Sequence, residues 1–122
     1  MTARIVHETV DETRVLATDV EFADSFLSKA RGLMFRSSLP DDYALVMELG
    51  TGLFGGAPRR SVHMLFVRVP LDVVWLVDDE VTRVETLSPW RGLAAARAER
   101  IIEFPAGGAA GVAPGETVRV ER

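Results

Sequence analysis

Cysteine is absent from the 122-residue sequence, which excludes disulfide bonds, thiolate nucleophiles, iron–sulfur clusters and cysteine zinc sites. Long apolar runs are also absent, since none approaches the ~20 residues that a membrane-spanning helix needs. The first residues, Met1-Thr2-Ala3-Arg4, lack the apolar core of a signal peptide. We therefore expect a soluble, cytoplasmic protein.

Lysine is nearly absent, because Lys29 is the single lysine among fourteen basic residues. Eighteen acidic residues bring the formal net charge to −4, which argues against a nucleic-acid partner. Arginine binds carboxylates and phosphates through two parallel hydrogen bonds, a geometry that lysine does not match. The expected partner is a small molecule or another protein, with neither nucleic acid nor membrane involved, and the oligomeric state stays open.

No repeat or linker divides the chain, and 48% of its residues are hydrophobic, so we predict a single domain over residues 1–122. Alternating apolar residues and turn signals predict strands over 4–7, 13–22, 43–49, 61–67, 71–77, 80–87, 99–104 and 116–121. The short turns between these segments favour antiparallel pairing.

One helix is predicted to begin at Asp24, a typical N-cap residue. The apolar residues that follow share one helical face, and they are Phe26, Leu27, Ala30, Leu33 and Met34. Segment 88–98 is predicted to be irregular, with space for one helical turn. The predicted fold class is therefore α+β, a β-rich and mostly antiparallel curled or barrel-like sheet of about seven strands with one or two short helices.

Asp72 stands out because it lies near the start of the segment Leu71–Val77, which is otherwise apolar on both faces and is therefore typical of a strand buried on both sides. A carboxylate in that position must be hydrogen-bonded or paired, or its pKa must rise. Asp72 is interpreted either as a site acid or as a structural group that caps the Pro70 turn or pairs with an arginine. The structural interpretation is the favoured one.

His63 lies in the middle of the predicted strand 61–67, with Ser61 two residues earlier on the same face. A triad of Ser61, His63 and Asp72 is rejected, because the sequence lacks the Gly-x-Ser-x-Gly turn and the strand-to-helix context that present a nucleophilic serine. The two histidines, His7 and His63, stand 56 positions apart, so we predict no metal site, and no cofactor is expected. His63 is interpreted as a half-buried structural residue or, alternatively, as a ligand contact.

The segment Gly50-Thr-Gly-Leu-Phe-Gly55 matches the dinucleotide fingerprint Gly-x-Gly-x-x-Gly, but no helical pattern begins within it. We therefore do not interpret it as a nucleotide site. The glycine-rich segment ends in Arg59-Arg60, close in sequence to His63, so it could close over an anion. The alternative is a solvated surface loop.

Three segments together resemble a known family, and they are Ala30-Arg-Gly-Leu-Met-Phe-Arg36, Ser61-Val-His-Met-Leu-Phe-Val-Arg-Val-Pro-Leu-Asp-Val-Val-Trp-Leu76 and Ile101-Ile-Glu-Phe-Pro-Ala-Gly107. In this order they resemble the domain of unknown function 192 family, from about Thr13 to Val120. The resemblance implies a compact β-rich α+β fold and no particular function. Many members carry Trp-Met-Lys/Arg-Asn where this chain has His63-Met-Leu-Phe66, so the resemblance supports no chemistry by an asparagine or lysine there.

Polar residues concentrate in or beside these motifs, and they are Arg31, Arg36, His63, Arg68 and Asp72. We hypothesise that Arg36, His63 and Asp72 line one pocket for a small anionic or polyhydroxylated ligand, with Arg31 and Arg68 as further candidates. The competing hypothesis is a structural ion pair between Arg36 and Asp72.

The leading functional interpretation is a non-catalytic domain that binds a small ligand or a partner, because the sequence assembles no catalytic constellation. One alternative is a hydrolase or lyase that uses His63 and Asp72 as acid and base. Another is a structural module that assembles through exposed strand edges.

Overall fold

Short apolar segments form ten β-strands in the computed structural model, which describes residues 3–23 and 32–122. The strands are β1 (Arg4–Glu8), β2 (Thr13–Ala17), β3 (Asp19–Phe22), β4 (Tyr43–Glu48), β5 (Arg59–His63), β6 (Leu71–Val77), β7 (Glu80–Leu87), β8 (Leu93–Arg97), β9 (Arg100–Pro105) and β10 (Thr117–Glu121). The predicted strands 71–77 and 80–87 coincide with β6 and β7.

Eight strands form one sheet in the order β2-β1-β10-β7-β6-β9-β4-β3, and β5 pairs with β8 in a separate two-stranded ribbon. All pairs are antiparallel except β3 and β4, which run parallel. The two edge strands, β2 and β3, are separated in the chain by Thr18 alone. The sheet must therefore curl until its edges approach each other, although no ladder joins β2 to β3 and the sheet stays unclosed.

The predicted α+β class is wrong, because the described residues form strands and turns and contain no helix. The sheet is mixed, and ten strands replace the expected seven or so. Within segment 88–98, which was expected to have space for a helical turn, Leu93–Arg97 forms β8. The alanines there favour a helix, but pairing with β5 satisfies the backbone of both strands and outweighs that preference.

The helix predicted to begin at Asp24 falls largely on residues that lie outside the described ranges, namely Asp24, Phe26, Leu27 and Ala30. Its last two apolar residues, Leu33 and Met34, lie in a turn. Leu33 is buried and Met34 packs against the core, so both contribute apolar surface without helical geometry.

Strand β6 separates two apolar cores. Val73 and Trp75 face the first core, which the sheet shares with the β5–β8 ribbon. Val74 and Leu76 face the second core, which includes Ala109 from the segment after β9. Alternate residues of a strand point to opposite faces, so burial on both sides explains why β6 is apolar throughout its centre.

The indole of Trp75 ties the ribbon to the sheet. Its Nε1 donates a hydrogen bond to the carbonyl of Arg60 on β5, over 3.0 Å. Because the ribbon pairs with no strand of the large sheet, this contact and the shared apolar core determine how β5 lies over the sheet. The space beside β5 is where the candidate site lies.

The β6–β7 turn offers a simple test of the backbone geometry. Val77 pairs with Glu80 around a two-residue loop in which Asp78 and Asp79 both have positive φ, 49° and 66°. Asparagine suits the first position of such a type I′ turn. An asparagine at position 78 would also remove a negative charge close to Glu99. The carboxylate of Glu99 accepts a hydrogen bond from the amide of Asp78.

We expect Asp78→Asn to stabilise the protein by about 0.5 kcal/mol, or roughly 2 °C in Tm. Calorimetry would measure the change. Asp79→Asn is the matched control and should give no gain, because Asp79 pairs with Arg100 at 2.7 Å. A lower Tm for Asp78→Asn would contradict the assigned turn geometry.

Candidate functional site

A cavity of about 490 Å³ lies between strand β5 and the face of the sheet formed by β4 and β9. Its volume falls within the roughly 300–1,000 Å³ typical of small-molecule sites. Most of its wall is apolar, contributed by Leu33, Met34, Met47, Leu49, Val62, Val67 and Ile101. The polar groups are therefore few, and their placement decides what the cavity can bind.

Glu103 is the acidic group of this cavity. It lies on β9 between Leu45 of β4 and Val73 of β6, so its side chain shares their apolar face. The residue is 4% exposed, and its Oε1 has no hydrogen-bond partner within the described part of the chain. Burial raises the pKa of Glu103 to about 7.

The turn at Gly32 packs closely over this carboxyl. A Cβ added at Gly32 would lie 3.4 Å from Oε1 of Glu103, and Gly32 has a positive φ of 52°. Both the conformation and the close approach favour glycine at this position. The turn thus covers Glu103 without supplying a side chain from Gly32 itself.

Tyr43 places a second polar group on the same sheet face. Its hydroxyl is buried and has no hydrogen-bond partner of ordinary geometry among the described residues, although the carboxylate of Glu21 lies close enough to interact with it. Burial raises the pKa of Tyr43 to about 12, and the carboxylates of Glu21 and Glu103 contribute to the increase. The phenol therefore stays neutral at physiological pH.

The outer end of the cavity is basic. Arg59 and His63 are exposed lining residues from β5, and Arg60 between them is half-buried. Arg60 donates hydrogen bonds to the carbonyls of Leu49 and Gly50, at 3.0 and 3.2 Å, which fix its guanidinium near the site. These residues form what we call the basic rim: Arg59, Arg60 and His63.

The imidazole of His63 contributes a donor to this rim. Its Nδ1 accepts a hydrogen bond from the amide of Leu65 at 3.3 Å. In the neutral ring the proton must then reside on Nε2, so that nitrogen can donate to a bound group. The rim consequently presents donors, while Glu103 at the buried end presents an acceptor.

The structure brings one of the sequence-predicted site residues, His63, to the cavity. Arg36 pairs with Glu21 at 3.3 Å instead of with Asp72, and its guanidinium lies 5.7 Å from the centre of the Tyr43 ring. Neither Arg36 nor Arg68, which is exposed, lines the cavity. Arg31 lies outside the described residues.

Asp72 is buried and already has hydrogen-bond donors. Its Oδ1 accepts from the hydroxyl of Thr86 at 2.6 Å, and its Oδ2 accepts from the amides of Gly107 and Ala109, each at 3.0 Å. These contacts tie the segment after β9 to the start of β6. The carboxylate of Asp72 thus acts as a structural acceptor, but its donors are Thr86 and the segment after β9 instead of the Pro70 turn or an arginine.

The sequence reasoning missed Glu103 as a site residue. The signal was present, because Ile101-Ile102-Glu103-Phe104 places an acid within a continuous apolar strand, as Leu71-Asp72-Val73 does. All four residues of that strand segment are buried. An acid in a doubly buried strand is worth testing as a functional group whenever no donor can be assigned to it.

Three exposed aromatic residues form a row beside the cavity, because Phe35 and Phe66 are chain neighbours of lining residues and Trp90 packs against Phe66. Phe35, Phe66 and Trp90 all have positive φ, and their rings pack in sequence with centroid distances of 5.4 and 5.3 Å. The amide of Phe35 donates to the carbonyl of Phe66 at 2.8 Å. Such conformations are costly for bulky residues, so the surrounding backbone contacts must hold them in place.

Within residues 3–23 and 32–122, no cluster of three or more histidine, aspartate or glutamate side chains is placed to hold a metal ion. No helix there is long and apolar enough to cross a membrane.

Comparison with known proteins gives one family. The model of the DUF192 family, described as uncharacterized ACR, matches residues 6–120. A UPF0127 protein of Pyrococcus horikoshii is 38% identical over 104 residues, covering 80% of this chain and 84% of that protein. A UPF0127 protein of Pyrococcus furiosus is 36% identical over 102 residues, covering 80% and 81%.

Solved structures match over nearly the whole chain. A protein of unknown function from Novosphingobium aromaticivorans aligns with a TM-score of 0.79 and 22% identity, covering 97% of this chain and 84% of the other. A protein from Sinorhizobium meliloti described as "a putative transcription regulator" aligns with a TM-score of 0.80 and 22% identity, covering 98% and 94%. At this identity the likeness establishes the fold alone.

Proposed function

The chain belongs to the uncharacterised DUF192 family, and from the geometry of its cavity we propose that it is a small-ligand-binding domain. The observation that carries the proposal is the buried carboxyl of Glu103, which lines the cavity and whose Oε1 has no partner in the described part of the chain. Buried polar atoms are nearly always hydrogen-bonded in proteins, so this oxygen requires a donor from outside the described ranges. The cavity provides the space for it.

The basic rim supports a ligand that carries an anionic group. Arg59, Arg60 and His63 together offer several donors and at least two positive charges at the outer end of the cavity. Arginine recognises carboxylates and phosphates with paired hydrogen bonds. The proposal therefore keeps the anionic ligand and the role of His63 that the sequence suggested, and it needs no contact with Arg31, Arg36, Arg68 or Asp72.

Binding is favoured over catalysis by the position of the acids. A catalytic pair of His63 and Asp72 would need the Asp72 carboxylate at the cavity, yet both its oxygens accept hydrogen bonds elsewhere and Asp72 does not line the cavity. A cytoplasmic location, and a partner that is neither nucleic acid nor membrane, remain predictions from the sequence.

A thermal-shift screen with sugars, nucleotides, sugar phosphates and carboxylates tests the proposal. We expect at least one compound to raise Tm, since a ligand at one hundred times its dissociation constant adds about 2.7 kcal/mol to stability. Val62→Phe should abolish that shift, because Val62 is buried and lines the cavity. Val10→Phe is the matched control, since Val10 is fully exposed in a turn.

Two results would contradict the binding function. One is the absence of any shift across the screen. The other is a hit whose shift is the same in Val62→Phe as in the wild type, because that compound would bind elsewhere.

A further inference from the structure

The cavity is polarised from its rim to its buried end. Arg59 and His63 are exposed at the outer end, and Arg60 is held there by the carbonyls of Leu49 and Gly50, just after β4. Glu103 is buried at the inner end, where it pairs with Leu45, roughly 13 Å back along the same strand by strand rise. The wall between the two ends is apolar, formed by residues such as Met47, Leu49 and Ile101. A ligand that matches this pattern has an anionic group at one end, a hydrogen-bond donor group at the other end and an apolar middle.

The donor group is identified by what Glu103 lacks. Its Oε1 is without a partner in the described ranges, and no arginine, lysine or histidine of those ranges forms an ion pair with it. A positively charged donor is the partner that a buried carboxylate favours most, because the pair neutralises the charge and satisfies the hydrogen bond together. An ammonium group does both.

A simple alkylamine does not fit the rest of the cavity. Its single positive charge would have to pass two arginines and lie near them, and like charges at short range disfavour binding. A ligand with a carboxylate at the rim removes that repulsion and adds hydrogen bonds to Arg59 or to Nε2 of His63. A simple fatty acid, conversely, leaves Glu103 without a partner.

We propose that the cavity recognises an elongated zwitterion, an aliphatic amino acid whose carboxylate is bound at the basic rim and whose ammonium is bound by Glu103. This inference rests on the small-ligand function proposed above and specifies the ligand class. The geometry that carries it is the placement of donors at one end, an unpartnered buried acceptor at the other end and apolar walls between them.

Isothermal titration calorimetry with a matched set of probes tests whether the ligand is a zwitterion. The ω-amino acids 4-aminobutanoate, 6-aminohexanoate and 8-aminooctanoate vary the separation of the two charges. Hexanoate lacks the ammonium and hexylamine lacks the carboxylate. We expect at least one ω-amino acid to bind at least about tenfold more tightly than hexanoate and hexylamine.

Variants at each end assign the two contacts. Glu103→Gln should weaken binding of the ω-amino acid roughly 10- to 100-fold and leave hexanoate unchanged. Arg59→Ala should weaken it about threefold, since Arg59 is exposed, and leave hexylamine no weaker. Arg97→Ala is the control for Arg59, because Arg97 is exposed on the same ribbon, opposite Arg59, and does not line the cavity.

The zwitterion proposal is overturned if hexanoate binds as tightly as every ω-amino acid, or if Glu103→Gln leaves the affinities for the ω-amino acids unchanged. It is also overturned if none of these probes binds while another compound gives a shift that Val62→Phe abolishes, and in that case the binding function itself stands. Should Glu103→Gln fail to fold, the ¹³C carboxyl shift of Glu103 decides: it must respond to the ω-amino acid and not to hexanoate.

Discussion

Ionisation of Glu103 is expected to lower the free energy of unfolding of the wild type by about 3 kcal/mol as the pH rises, and Glu103→Gln should not show this decrease. Burial raises the pKa of Glu103 from 4.5 to about 7 in the folded protein. Between these values the folded state holds a proton that the unfolded state has released. The free energy of unfolding therefore falls as pH increases from about 4.5 to about 7, and the loss is complete above that range.

Chemical denaturation at a series of pH values would measure this effect. The wild type should lose stability between pH 4.5 and 7.5, and Glu103→Gln should lack that component, so that the variant is the more stable protein at pH 8. Glu80→Gln is the matched control, because Glu80 is exposed at the start of β7. If the free energy of unfolding depended on pH in the same way in the wild type and in Glu103→Gln, Glu103 would not be shielded from water.

Asp72→Ala is expected to destabilise the protein by about 3 kcal/mol, or roughly 12 °C in Tm. The substitution removes the acceptor of three hydrogen bonds and leaves the amides of Gly107 and Ala109 and the hydroxyl of Thr86 without it. Asp72 is 5% exposed, so water cannot easily replace the carboxylate. The largest part of the loss comes from the amide of Ala109, which is buried and would be left without an acceptor.

Differential scanning calorimetry at neutral pH would test this role, with Asp41→Ala as the control at an exposed turn position. Ligand binding by the folded fraction of Asp72→Ala should match that of the wild type, because Asp72 does not line the cavity. If the free energy of unfolding fell by less than about 1 kcal/mol, or if binding were lost while stability was retained, Asp72 would belong to the ligand site and not to the structural framework.

The strands with strong local patterns were predictable from sequence. Continuous apolar residues in Leu71–Val77 predicted burial on both faces, and two apolar cores do lie on either side of β6. Segment 93–97 was not predictable in the same way, because Leu-Ala-Ala-Ala-Arg has no strand pattern of its own and depends on β5, about thirty residues away in sequence.

The candidate site was only partly predictable, because it depends on long-range packing. His63 was identified from its strand, but the cavity exists only where the ribbon lies over β4 and β9. Two acids, Asp72 and Glu103, share the same apolar sequence context. What separates them is that backbone amides after β9 reach Asp72, whereas Oε1 of Glu103 has no such donor in the described residues.

The central claim is that Glu103 is a buried acid in the wall of the cavity and that its carboxyl lacks a hydrogen-bond donor among the described residues. A pH titration of its side-chain carboxyl carbon by ¹³C NMR, in protein free of added ligand, tests that claim most directly. The structure predicts a midpoint near 7. A midpoint near the ordinary value of about 4.5 would contradict the claim, since the carboxyl would then be solvated or already paired.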